Sequence, residues 1–169
     1  LTEAWGQQVV VDNRGGAGSV VGTVLAVGAT PDGYTIILSN IGLAVNETLR
    51  PRRGYEALKH LTPISLVGSA PSVLVVNQNT PFKSVADLVK AAQAQPGKIS
   101  FGSAGAGSST HLSMAYLQSL AKMNLLHVPY KGGGPAVRAL IGGEVQSVLA
   151  PVPTVHPHIT GGRIRPLAV

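Results

Sequence analysis

An α/β fold with mostly parallel sheets is what this sequence predicts, and two observations predict it. Short apolar runs of strand length alternate with amphipathic runs of helical period along the chain. Two of the strand-to-helix junctions are rich in glycine, Asn13 to Ser19 (NRGGAGS) and Ser103 to Thr110 (SAGAGSST). Such an order suits strands laid side by side with helices packed on them. Ligands in such sheets gather at the carboxyl ends of strands, where both glycine segments sit.

Taken in order, Gln8 to Asp12 predicts a short strand and Ser19 to Ala29 a helix, closed at Thr30-Pro31-Asp32-Gly33, a turn sequence. Tyr34 to Ser39 predicts a second strand, and Asn40 to Leu49 opens another short helix. Pro51 to Tyr55 is a basic loop. Ile64 to Val67 and Val73 to Asn77 predict two strands, and the Gly68-Ser69-Ala70-Pro71 break between them suits a crossing between lobes. Ser84 to Ala94 predicts a helix with Ser84 as N-cap, Asp87 three residues on and Pro96-Gly97 as terminator. A strand at Ile99 to Gly102, a helix at His111 to Lys122 and a strand at Leu125 to Val128 follow. Pro135 starts a helix that reaches Ile141 and stops at Gly142-Gly143. Val145 to Ala150 predicts a strand, Thr154 to Thr160 a short helix, and Arg165 to Val169 the start of another strand.

The two glycine segments read as anion cradles. A helix begins with amides that have no partner, and its dipole adds positive potential at that end, so a carboxylate or phosphate is favoured there. Glycine permits unusual backbone angles and close approach of a ligand. Each segment taken alone also fits a tight turn with no ligand. The pair resembles a weak two-unit repeat, which would set two helix N-termini across a cleft.

Composition narrows the function classes. The chain has 169 residues, 44% of them hydrophobic, enough for a real core in one domain or two small ones. Its 21 glycines and 12 prolines punctuate apolar runs and form no low-complexity tract, which argues against disorder. A net charge of +6 permits an anionic partner. Nucleic acid is disfavoured, because the few aromatics are scattered and no basic stripe forms around them. Cysteine is absent, which removes disulfides, thiolate chemistry and cysteine-bound zinc. No apolar stretch reaches the ~20 residues that span a bilayer, and no leader pattern is present.

Catalytic motifs are thin. Neither glycine segment matches the dinucleotide fingerprint, since Val21 and Thr110 stand where its third glycine would be. Gly97-Lys98 lacks the rest of a phosphate-binding loop, and no Gly-x-Ser-x-Gly elbow occurs. The seven acidic residues form no evident acid–base pair; Asp32 suits a turn and Asp87 a cap. His156 and His158 flank Pro157 without a third ligand, so no metal is expected, and no cofactor either. His111 either adds a donor to the cleft or hydrogen-bonds a neighbouring loop and fixes the cradle. His127, at a strand end, is read as a hydrogen-bonded structural histidine. Lys131, beside the glycines at 132, 133 and 134, is a rim cation or a solvated one. Arg14 offers a fork for a carboxylate or pairs with Asp12.

Six segments in order carry a resemblance: NRGGAGS, Pro31-Asp32-Gly33-Tyr34-Thr35, Pro63-Ile64-Ser65-Leu66-Val67, Gly102-Ser103-Ala104-Gly105 with His111-Leu112, His127-Val128-Pro129-Tyr130-Lys131-Gly132, and Pro157-His158-Ile159. The chain resembles the Bug-type receptors, the extracytoplasmic solute-binding proteins of tripartite tricarboxylate transporters. The match runs through essentially all of it. The resemblance implies a two-lobed Venus-flytrap receptor in the periplasm that closes around a small carboxylate without catalysis and works with the transporter's membrane components. Two departures stand out. The family usually has NRPGAGG where this chain has Gly15 and Ser19, and usually has an Asp where this chain has Ala150.

Residues 1–70 are then expected to belong to an incomplete first lobe and residues 71–169 to the second lobe, with the return crossing at its end. Both ends read as cut, since family members begin with a further strand and glycine-rich loop and continue past Val169. Uncovered apolar faces near Val9 to Val11 and Ile36 to Leu38 would then favour self-association. The expected ligand-binding residues are Gly16, Ala17, Gly18 and Ser19 in the first cradle; Ser103, Ala104, Gly105, Gly107, Ser108 and Ser109 in the second; Ser39 and Asn40 at a strand end; and His111 and Lys131. The class competing with a receptor is an enzyme acting on a small anionic substrate.

Overall fold

A computed structural model describes residues 1–169. From Ser72 onward the chain builds a five-stranded mixed sheet. Its strands are β1 (Ser72–Asn77), β2 (Ser100–Ser103), β3 (Leu126–Pro129), β4 (Ser147–Pro151) and β5 (Ile164–Ala168), in spatial order β3-β2-β4-β1-β5. β2 runs parallel to β3 and β4, while β1 runs antiparallel to its neighbours β4 and β5. Four strands therefore share one direction, as expected, and β1 alone opposes them.

The reason β1 reads as an unbroken apolar run is that both its faces are covered. Val73 and Val75 point into one core with Val137, Leu140, Val148, Val155 and Ile164. Leu74 and Val76 point into the other with Phe82, Leu88, Phe101, Met114 and Leu125. Helices cover both faces. The helices of the chain, in order, are α1 (Thr2–Trp5), α2 (Val20–Val27), α3 (Gly42–Leu49), α4 (Ala57–His60), α5 (Val85–Ala94), α6 (Ser109–Ala121), α7 (Gly133–Gly142) and α8 (Val152–Thr160), of which α5 to α8 pack on the sheet. Leu88 of α5 and Met114 of α6 enter the second core, and Val137 and Leu140 of α7 with Val155 of α8 enter the first. The Ser84 hydroxyl accepts from the Asp87 amide at 3.1 Å, so α5 begins as its sequence predicts.

Residues before Ser72 behave differently. The strands expected at Gln8 to Asp12, Tyr34 to Ser39 and Ile64 to Val67 run outside any sheet, because no other segment of this chain hydrogen-bonds to them as a ladder. Their apolar side chains stay in solvent, Val10 and Leu38 at 80% exposure and Leu66 at 86%. Local alternation specifies a strand's shape, but only a neighbour completes it. The short helix α4 had no sequence expectation; the Glu47 carboxylate accepts from its first amide, at Ala57.

Candidate functional site

The first glycine loop owes its form to a rare backbone. Gly16, Ala17, Gly18 and Ser19 all have positive φ, at 138°, 47°, 63° and 78°. Ala17 and Ser19 bear side chains in the left-handed region, a conformation that costs energy and is kept where the surroundings impose it. The loop forms one short 3-10 turn, Ala17–Ser19, and feeds α2. Ser19 donates its amide to the Gly16 carbonyl at 3.1 Å. The amides of Gly16, Ala17 and Gly18 donate to nothing within the chain, which leaves three consecutive N–H groups at the positive end of α2.

The second loop is knitted to itself. The Ala104 amide donates to Thr110 Oγ1 at 2.9 Å, Gly105 to Ser103 Oγ at 3.1 Å, Gly107 to His111 Nδ1 at 3.2 Å and Ser108 to the Gly105 carbonyl at 3.1 Å. Ser108 caps α6 by accepting from the His111 amide. Four of the amides expected to meet a ligand here, those of Ala104, Gly105, Gly107 and Ser108, are thus spent inside the loop; Ser109 retains its own, as do Ala106 and Thr110. His111 holds the cradle rather than merely lining it. His127 also proves structural: its Nε2 lies 2.6 Å from Ser103 Oγ, and its ring stacks on His111 and Phe101. Ser103 beside His127 has the spacing of a nucleophile and its base, yet Ser103 is wholly buried and no carboxylate orients His127.

The two loops do not face each other across open space, as their repeat suggests. They touch through backbone. A Cβ placed on Gly18 would lie 2.7 Å from the Ala106 carbonyl oxygen, and one on Gly105 would lie 3.5 Å from the Gly18 nitrogen. Missing side chains at 18 and 105 permit this approach. A third segment joins them: a Cβ on Gly15 would meet the Lys131 carbonyl at 3.3 Å, and one on Gly105 the Tyr130 carbonyl at the same distance. Lys131 thereby reaches the site through its main chain, while its side chain is exposed.

α3 supplies the clamp. Asn46, fully buried, donates through Nδ2 to the Gly18 carbonyl at 2.9 Å, and its Oδ1 faces Gly107. Arg50 donates to the Ala106 carbonyl at 2.9 Å. Neither was marked in the sequence; the available signal was an asparagine directly after the apolar first turn of the helix, Gly42 to Val45. Asn40, expected to border the ligand, precedes α3, its Oδ1 accepting from the Gly42 amide at 2.8 Å. The Ser39 hydroxyl is buried and has no partner. Arg14 pairs with Asp12 at 2.8 Å, in the open. A recess of about 400 Å³ beside the first loop is lined by Val20, Arg50, Pro51, Arg52 and Arg53, which makes the flank of the site cationic.

A sequence profile for the tripartite tricarboxylate transporter family receptor matches residues 1–169. The chain belongs to that family. It is similar to the protein BugT of Bordetella pertussis, 40% identical over 171 residues, covering all of this chain and 52% of that protein. Among solved structures, the periplasmic binding protein BugD superposes with a TM-score of 0.94 at 33% identity, over 99% of this chain and 56% of that one. An R. palustris protein, Rpa4515, solved with adipate, gives 0.94 at 32% identity over the same shares. The fold is therefore that of the two-lobed periplasmic binding proteins, of which the first lobe is present here in part. The chain spans about half the length of the curated relatives it matches.

Proposed function

We propose that this receptor-family chain captures a small carboxylate at its paired glycine loops, in the periplasm, and hands it unchanged to the membrane components of a tripartite tricarboxylate transporter. The single observation that carries the reading is the left-handed run Gly16 to Ser19, with the unspent amides of Gly16, Ala17 and Gly18 at the start of α2. Three consecutive unspent amides in one turn suit a carboxylate, and the helix dipole adds to them. The remaining amides of Ala106, Ser109 and Thr110 at the start of α6 form the second donor group, reached directly or through water. The adipate seated in Rpa4515 supports an acid as the ligand class. In this reading residues 1–70 contribute the first lobe and 71–169 the second.

Titration calorimetry of the full-length protein with acetate, succinate, adipate and citrate tests it, followed by mass spectrometry of the recovered acid. Binding of at least one acid, abolished by Gly107→Val with the sheet still folded, is the expected result. Failure of every acid to bind would overturn the ligand class, and steady product formation would favour an enzyme.

A further inference from the structure

Phe101 on β2, His127 on β3 and His111 on α6 form a stack with His127 as its middle plate, 4.8 Å from Phe101 and 4.1 Å from His111. Each imidazole holds the second glycine loop through one ring nitrogen. His111 Nδ1 accepts from the Gly107 amide. Ser103 Oγ accepts from the Gly105 amide and lies 2.6 Å from His127 Nε2, a hydrogen bond whose donor is set by the tautomer of the neutral His127 ring. Burial lowers the His111 pKa, and burial followed by the charge of His111 lowers that of His127. The groups that face the pair are Phe101 and Ser103 from β2 and the Gly107 amide from the loop. No carboxylate bears on either ring, and the only charge that acts on His127 is that of His111.

We propose that His111 and His127 are positioning residues for the second glycine loop, and that the loop keeps its ligand-holding shape only while both rings are neutral, so that acid loosens it and releases the bound carboxylate. The release rests on the carboxylate reading above. A proton on His111 Nδ1 sets a donor against the Gly107 donor. A second proton, on His127, sets two cations face to face at 4.1 Å. The sign follows from proton counting. The closed loop binds fewer protons than a loosened one, so its advantage shrinks as pH falls below about 6.5, where an unconstrained histidine begins to charge. A histidine that touched the ligand directly would do the opposite, because an imidazolium attracts a carboxylate.

Two measurements on the full-length protein between pH 7.5 and 5.5 decide it. One is hydrogen exchange at the Gly107 amide without ligand, corrected for intrinsic chemistry; the other is affinity for the tightest acid of the panel above. Both are made on the wild type, on His111→Asn, whose amide oxygen replaces Nδ1 without titrating, and on His127→Gln. Protection of Gly107 and affinity should each fall about threefold or more in the wild type, since one linked proton can contribute up to about tenfold per pH unit. The fall in His111→Asn should be much shallower. Constant Gly107 protection in the wild type, affinity that rises on acidification, or a wild-type profile in both variants would overturn the proposal. Absence of binding at every pH would tell against the carboxylate reading, and the exchange measurement would still decide the loop.

Discussion

Replacing Gly18 by alanine is the sharpest test of the contact between the loops. The new Cβ would sit 2.7 Å from the Ala106 carbonyl oxygen and 3.3 Å from both the Gly107 carbonyl carbon and the Ser108 nitrogen. All three are main-chain atoms and cannot swing away as a side-chain tip would. Gly18 also has φ of 63°, which costs an L-residue about 1–2 kcal/mol. Overpacking adds about 1–3 kcal/mol. A total near 2–5 kcal/mol lowers the midpoint of thermal unfolding by roughly 4–20 °C in a chain of this size. Gly97→Ala is the matched control: its φ is 72°, and nothing lies within 4 Å of its Cβ. It carries the backbone cost alone, and the entropy lost by the unfolded chain cancels between the two variants. Calorimetric scans of both should differ by the overpacking cost. Equal losses would refute the packing of the two loops.

Two further outcomes follow from the backbone and the caps. Ser19→Gly relieves a left-handed serine at φ 78°, worth about 1–2 kcal/mol, against about 0.5–1 kcal/mol for the extra freedom of glycine; urea titration should register a small net gain in stability. Ser84→Ala removes the cap of α5 and should cost about 1 kcal/mol in the same assay. In that variant the Asp87 pKa, held down first by the Lys83 amide and then by Ser84, should rise, as a proton titration followed by NMR would show.

The sheet was legible because its elements announce themselves locally. Ser84 with Asp87, Pro135, and the glycines at 142 and 143 mark helix ends by residue type, and Val73 to Val76 could only be a strand buried on both faces. The direction of β1 was not legible, since nothing within six residues tells which neighbours they will meet. The same limit explains Val9 to Val11 and Ile36 to Leu38, which have the composition of strands and no ladder. At the site, the glycine loops were found by composition, whereas Asn46 and Arg50 were not. Their roles depend on carbonyls 28 and 56 residues away in the chain.

The lone reversed strand also sets a timetable for assembly. β1 emerges early in synthesis, but Val75 finds its partners only at Val148 and Pro166. At about 5–20 residues per second, that is a wait of several seconds or more for the next ~70 to 90 residues. Meanwhile β2, α6 and β3 can pair across short loops, which close at lower entropic cost. The valine-rich centre of the sheet is therefore among the last pieces to be enclosed. A nascent chain stalled before residue 147 would present it, unpaired along both edges, to any holding chaperone or to another copy of itself.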